Sequence, residues 1–419
     1  MFNPSNLNSV PHSDTLAINE ISKQKIANGE TVYRFGFGQS PFSPAKEIID
    51  ALSANAAEHD YLDVQGLKEL REKIAEFHTS RETPLNADNI FVGPGSKMML
   101  FALQASFKKA IVFLPAPCWV SYMPQAKILG HQHVFMETSY ENKWRLQAEE
   151  LESYVNSTDV DKDAQKILIL TAPGNPESLI YDKGNLEEIA KICRDNNILV
   201  VSDEIYSKLT YRGDYYSIID YYPEGTVVTG GLSKWCGAGG WRLGFCYYSD
   251  KFDDSLKPVL KGIASETYSC VAAPVQFAAI TAYQQNSSIS KFIKNQNEVL
   301  DQASSLIQSL IKESSEIRIH DSEGGFYLFL DFDSYREQLE SKNIKTAKEL
   351  CSTIFQDTGV ALLPGSAFGM RPSSLTARLA FVDFDGNKAL ENFANKGEVG
   401  TEVFTKMEEG IQALCAWLR

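Results

Sequence analysis

The sequence predicts an α/β fold: a mostly parallel seven-stranded sheet covered on both faces, followed by a smaller α+β domain. Three observations predict it. Between residues 90 and 250, short apolar runs alternate with amphipathic stretches, the pattern of a sheet buried under crossover helices. After a long helical tract from Ser288 to Ser314 the pattern changes to strands mixed with helices. The 419 residues, 43% of them hydrophobic, suffice for two or three domains of ~150 residues.

The elements follow in order. Residues 1–30 are polar, with one weakly amphipathic stretch from Thr15 to Ile26, and read as an arm and a short helix. Pro41 and Pro44 then force an extended turn. Ala45–Glu58 and Leu67–His78 carry helical spacing. The candidate strands of the sheet are Ile90–Val92, Ala110–Leu114, His133–Met136, Ile167–Thr171, Ile198–Ser202, Val227–Thr229 and Leu243–Tyr248. Helices Ser96–Phe107, Val120–Leu129 and Asn185–Asp195 lie between them. Further on, Ile317–His320, Phe326–Asp331, Val360–Leu363 and Ala377–Phe381 read as strands, Thr346–Gln356 and Glu402–Trp417 as helices, and Ala394–Gly400 as a surface loop. The expected division is an arm with part of the small domain over 1–44, a large domain over 45–287 and a small one over 288–419.

Composition excludes several classes. Forty Lys and Arg against 54 Asp and Glu leave a net charge of −14. Such a chain lacks the basic face that nucleic acid or an anionic membrane requires, so neither is an expected partner. No apolar run approaches the ~18 residues of a membrane span. The opening residues lack the basic-then-apolar pattern of a secretory signal, which leaves a cytoplasmic protein. Seven cysteines, none in a CxxC pair, fit reduced thiols and offer no zinc framework. Alternation would put His131 and His133 on one strand face, more a solvated strand than a metal site.

Four segments carry chemistry. In Val227-Val-Thr-Gly-Gly-Leu-Ser233-Lys234, a strand ends in glycines and presents a lysine, and after a glycine-rich loop Arg242 opens the next strand. A fixed lysine can bond a carbonyl compound, and an arginine can clamp a phosphate; alone, Lys234 fits a surface lysine equally well. Asp203 ends the apolar run from Ile198, where open α/β sheets place ligand contacts, or it caps a helix. Asn175, in Thr171-Ala-Pro-Gly-Asn175-Pro176, could bond a ligand or make an Asx turn. Phe91-Val-Gly-Pro-Gly-Ser96-Lys97 runs a strand through glycines into a helix start, whose free N–H groups attract anions. Neither a phosphate-loop G-x4-G-K-[ST] motif nor a strand-linked G-x-G-x-x-G is present.

Together Asp203-x-x-Tyr206, Asn175-Pro176, Ser233-Lys234 with Arg242 eight residues on, Tyr61-x4-Gly66-x3-Leu70-Arg71 and Arg378 resemble the class I/II aminotransferases, pyridoxal-phosphate enzymes of fold type I. The resemblance runs in register from about Ser13 to Phe381. It implies that Lys234 bonds the cofactor and then moves the substrate's Cα proton. It implies that Asp203 keeps the pyridine nitrogen protonated, that Asn175 and Tyr206 bond the phenolic oxygen, and that Trp119 stacks on the ring. Ser96, Lys97, Ser233 and Arg242 would hold the phosphate, with Tyr61 from a second subunit of a homodimer. Arg378 would bind the substrate carboxylate beneath the Gly36-Phe-Gly38 loop, and Ser13-Asp-Thr15 matches a segment that closes over substrate in some members.

Three departures stand out. The family's Asn-Pro-Thr-Gly is Asn175-Pro-Glu177-Ser178 here, which changes the turn. Gly231 stands where members often place a phosphate-binding Ser, so one phosphate contact fewer is expected. Phe381-Val-Asp-Phe-Asp-Gly386 replaces the usual Ser-Tyr-Ala after the carboxylate arginine. Lys97 matches a lysine of the bacterial aspartate/prephenate aminotransferase branch that pairs with an acidic side chain, so aspartate or glutamate is the favoured donor to a 2-oxo acid in a ping-pong cycle. An aromatic donor, in a pocket lined by Phe37, Tyr122 and Tyr268, and a C–S lyase or synthase on the same scaffold are the alternatives. A cofactor-sensing regulator is disfavoured, because only about 30 residues precede Gly36 and leave no DNA-binding domain.

Overall fold

The computed structural model describes residues 14–79, 83–157, 161 and 163–419. Ser13, expected to help close over substrate, lies outside them. The first sheet has seven strands: β1 (Ile90–Gly93), β2 (Ala110–Ala116), β3 (Gln132–Glu137), β4 (Gln165–Thr171), β5 (Leu199–Asp203), β6 (Thr226–Gly231) and β7 (Gly244–Tyr247). Their spatial order is β1-β7-β6-β5-β4-β2-β3. The pairs from β6 through to β3 are parallel; β7 runs antiparallel to both of its neighbours. Strands β1, β2, β5, β6 and β7 are buried along their whole length, as their unbroken apolar runs require. The second sheet is antiparallel, in the order β8-β10-β9, from β8 (Tyr327–Asp331), β9 (Leu363–Pro364) and β10 (Thr376–Ala380).

A helix over Ser287–Ser314 joins the two sheets along the chain. Asn286 caps it, its side chain accepting from the Ile289 N–H at 2.8 Å. One stripe, including Val299, Leu300, Ala303, Ile307 and Ile311, is buried, as an i, i+3/i+4 apolar spacing dictates. The largest core cluster contains residues of both sheets, with Val228 and Phe245 of the first and Leu328 and Leu379 of the second.

Four expectations are corrected. Ile317–His320 forms no strand; only Arg318 bridges, to Asp331. Most of Val360–Leu363 lies outside the sheet, because Val360 pairs instead with Tyr33, and β9 begins at Leu363. The segment at 394–400 is not a simple surface loop. A helix over Gly386–Lys396 occupies its start and ends at Gly397, at φ +77, while Val399 is buried. Finally, His131 precedes β3 and is buried against the Gln104 carbonyl at 2.9 Å, so it shares no strand face with His133. Among the described residues no cluster could hold a metal ion.

Candidate active site

Four strands of the first sheet end at one edge, and the chain leaving each carries a candidate residue. β4 leads into Asn175, β5 ends in Asp203, β6 leads through Gly231 to Lys234, and β1 leads through Gly93 to Ser96. Together with Arg378 on β10 they enclose a cavity of about 580 Å³. Gly38, Ser96, Lys97, Trp119, Asn175, Asp203, Tyr206, Ser233, Lys234, Arg242 and Arg378 all line it. Tyr61 does not; it stands 91% exposed.

Asp203 is buried between two hydroxyl donors. Tyr122 donates to its Oδ2 at 2.7 Å and Thr229 to its Oδ1 at 3.1 Å. Burial pushes this carboxyl up, while the Tyr122 and Thr229 bonds pull it back down. An ionised Asp203 therefore gains from a cation placed against it. Tyr122 also bonds Thr171 Oγ1 at 2.7 Å, which ties the ends of β4 and β5 together.

Lys234 Nζ donates to the Gly38 carbonyl at 2.9 Å and lies over the Tyr206 ring. Burial lowers its pKa, and the nearby Arg378 and Arg242 lower it further. Gly38 has no room for a side chain, since a Cβ there would overlap the Tyr327 hydroxyl. Tyr206 and Tyr327 share a hydroxyl–hydroxyl bond of 2.8 Å.

The helix Ser96–Ala105 opens onto the cavity after Gly95, which adopts φ +85. Arg242, at φ +54, lies against this turn: its Nη1 donates to the Gly239 carbonyl at 2.7 Å, and a Cβ on Gly95 would overlap its Nη2. A helix N-terminus with a guanidinium beside it is an anion cradle. At Gly231 a Cβ would lie 2.7 Å from the Leu243 carbonyl and 2.8 Å from Gly244 Cα. The tight β6–β7 crossing thus excludes the serine that the resemblance would have placed there.

Arg378 is 1% exposed. Its Nη1 donates to Asn175 Oδ1 at 2.9 Å and its Nη2 to the Gly36 carbonyl at 2.8 Å, with Tyr327 and Phe368 rings against the guanidinium. Because Arg378 engages Oδ1, the Asn175 amide turns its Nδ2 donor toward other partners. The altered turn after Asn175 is held in a new way. Ser178 takes φ +60, a conformation that glycine adopts more easily, and its Oγ accepts from the Tyr327 N–H at 2.9 Å.

The lining gathers Lys97, Lys234, Arg242 and Arg378 against one carboxylate, Asp203, in a chain of net charge −14. Such a cavity selects a polyanion. The family model of the class I and II aminotransferases matches residues 29–387. The chain belongs to that family. It is 31% identical to an aspartate aminotransferase of Bacillus subtilis, over 85% of this chain and 89% of that protein. It is 30% identical to an asparagine–oxo-acid transaminase of Streptococcus mutans, over 85% and 89%. The solved structure of the aspartate aminotransferase of Rhizobium meliloti superposes with a TM-score of 0.85, covering 100% and 99% of the two chains at 22% identity, and supports the fold. As an aminotransferase the protein moves an amino group between an amino acid and a 2-oxo acid, and it depends on pyridoxal phosphate. The residues fit that group: an anion cradle at Ser96 and Arg242, a buried carboxylate at Asp203, and Lys234 just beyond the end of β6, the strand beside β5.

Tyr122, Thr171 and Tyr327 also line the site, and sequence reasoning gave them no polar role. Tyr327 sits in Phe326-Tyr-Leu-Phe-Leu, a run that reads only as core. For Tyr122 the signal was its place after Trp119. Tyr268, offered as part of an aromatic pocket, lies outside the cavity lining.

Proposed function

We propose that this aminotransferase takes an acidic amino acid, aspartate or glutamate, as donor and works as a cytoplasmic homodimer. The observation that carries the substrate is the pair Lys97 and Arg378. Two separate cations suit the two carboxylates of such a donor. Lys97 is held over the Trp119 ring at 4.9 Å and has no ion-pair partner among the described residues. Burial, Arg242 and Lys234 lower its pKa, so a carboxylate beside it would be drawn in strongly. The aromatic alternative loses Tyr268 from its pocket, and the Tyr122 hydroxyl is already engaged by Asp203.

When bound, pyridoxal phosphate supplies the electron sink that lets an amino acid's Cα–H bond ionise. Each residue then has a task. Ser96, Lys97 and Ser233 offer donors to the phosphate, with Arg242 as its counter-charge. Asp203 keeps a proton at the ring nitrogen, and Tyr122 and Thr229 keep Asp203 ionised. Tyr206 and Asn175 Nδ2 donate to the phenolic oxygen, and Trp119 covers the ring face. Arg378 receives the substrate α-carboxylate beneath the Gly38 loop. Lys234 Nζ takes the Cα proton and returns it, a role favoured by its lowered pKa.

The two sheets, with strands spanning 90–247 and 327–380, support a cofactor-binding domain over 45–287 and a small domain over 288–419 with the arm 1–44. The exposure of Tyr61, which is absent from its own cavity, supports its serving a second copy of the chain. Seven free cysteines accord with a reducing compartment.

The substrate reading is tested by the absorption of the cofactor-loaded protein after single additions of aspartate, glutamate, phenylalanine and tyrosine. Conversion to the amino form with the acidic donors is expected. Conversion with only the aromatic ones would overturn the choice.

A further inference from the structure

Glu177 stands where the family pattern has threonine, two residues after Asn175. Its side chain folds back flat against Gly174, where any Cβ would overlap Oε1. Its Oε2 is sealed from solvent without a hydrogen-bond partner. Beside it lies a small cavity of about 20 Å³, lined also by Asn175, Thr171, Cys118, Trp144 and Tyr181, with room for one water molecule.

The charged and titratable groups that face this carboxyl are few. Cys118 and Tyr181 are pushed up by burial first and stay neutral. Arg145 is the nearest cation, but Glu323 already takes its Nη2 at 2.7 Å, and Asp182 lies 3.9 Å from Nη1. Arg145 and the residue's own backbone N–H pull the Glu177 carboxyl down, but burial outweighs both. Burial accordingly raises its pKa to about 8.

We propose that Glu177 is a proton-dependent positioning residue for Asn175: as the neutral acid it packs the 172–178 turn, and on losing its proton it opens that turn. This rests on the reading of Arg378, which Asn175 Oδ1 holds in place, as the carboxylate-binding residue. Once ionised, an Oε2 sealed without a hydrogen-bond partner is costly to keep buried, and moving it toward water displaces the turn that carries it. Opening it releases Asn175 Oδ1 from Arg378 Nη1 and pulls at Ser178, whose Oγ and carbonyl anchor Tyr327 and Glu323. The weakened step is substrate binding at Arg378, so KM carries the effect and kcat much less.

The experiment compares the pH dependence of KM and kcat for aspartate in the wild type, Glu177→Gln and Glu177→Thr holoenzymes, with infrared difference spectra of the carboxyl region between about pH 6 and about pH 10. In the wild type, KM rises at least about tenfold above the Glu177 midpoint near pH 8 while kcat changes less than about twofold. Both variants hold KM within about twofold over the same range. The wild type also shows a protonated carboxyl signal that titrates near pH 8 and is missing from Glu177→Gln. A KM rise that persists in both variants, or a Glu177 carboxyl that titrates in the ordinary carboxylate range, overturns the proposal. If Glu177→Gln does not fold, Glu177→Thr and the wild-type infrared titration decide it. A protein that transaminates no amino acid would refute the site reading instead, and the infrared titration would still judge Glu177.

Discussion

Replacing Tyr122 by phenylalanine isolates what holds Asp203 ionised. The substitution keeps a ring in a fully buried place, edge-on to Trp119 at 5.3 Å, and removes only a hydroxyl. That hydroxyl makes two bonds of 2.7 Å, to Asp203 Oδ2 and Thr171 Oγ1. A hydrogen bond to a charged buried group contributes about 1.5–3 kcal/mol. Thr229 still donates to Oδ1 at 3.1 Å, so Asp203 is weakened rather than stripped. Burial already raises this carboxyl, and losing the Tyr122 bond that pulls it down raises it further. The ionised form becomes less available to a protonated ring nitrogen. Cofactor affinity should fall roughly 10–100-fold, with fold stability reduced by only about 1–2 kcal/mol for the unpaired Thr171 hydroxyl and the small void. Equilibrium titration of the apoenzyme with pyridoxal phosphate, paired with a thermal melt, measures both. A cofactor Kd within twofold of wild type would refute the assignment of Tyr122 as the group that keeps Asp203 charged.

Other substitutions probe the rest of the cavity. Lys97→Gln should lower kcat/KM for aspartate about 30–300-fold through loss of a buried charge-assisted contact, and leave phenylalanine within about threefold; equal losses for both donors would contradict a substrate role. Gly95→Ala meets both a positive φ and Arg242 Nη2, so phosphate and cofactor titrations should weaken at least about tenfold by displacement of the guanidinium. An unaltered phosphate affinity would show that Arg242 does not complete the cradle. Gly231→Ser would press a Cβ to 2.7 Å from the Leu243 carbonyl and should destabilise the fold by about 1–3 kcal/mol. A melting temperature equal to wild type would show that the β6–β7 crossing has slack.

Much of this was legible in the sequence, for a physical reason. Strands buried on both faces must be apolar throughout, so β2, β4, β5 and β6 announce themselves. The helix ending at Ser314 shows its stripe through seven turns of spacing. The site was legible because strand ends at the sheet edge expose Asp203, Asn175 and Lys234 among glycines and prolines, residues that a plain connection does not require. What stayed hidden depends on partners far along the chain. Tyr327 reads as a core aromatic until Tyr206, 121 positions earlier, meets its hydroxyl. Glu177 reads as a turn residue until the fold closes over it. His131 was misplaced because alternation was extended one residue too far, past a strand start set by pairing of Gln132 with Ile111.

The most direct test of the central claim is a single-turnover reaction with one equivalent of aspartate per cofactor-loaded site, measuring oxo acid and ammonia together, beside the same reaction in Lys234→Ala. One equivalent of oxaloacetate, no ammonia, and no turnover without Lys234 are expected. Ammonia released in step with product, or an unchanged rate in Lys234→Ala, would contradict it.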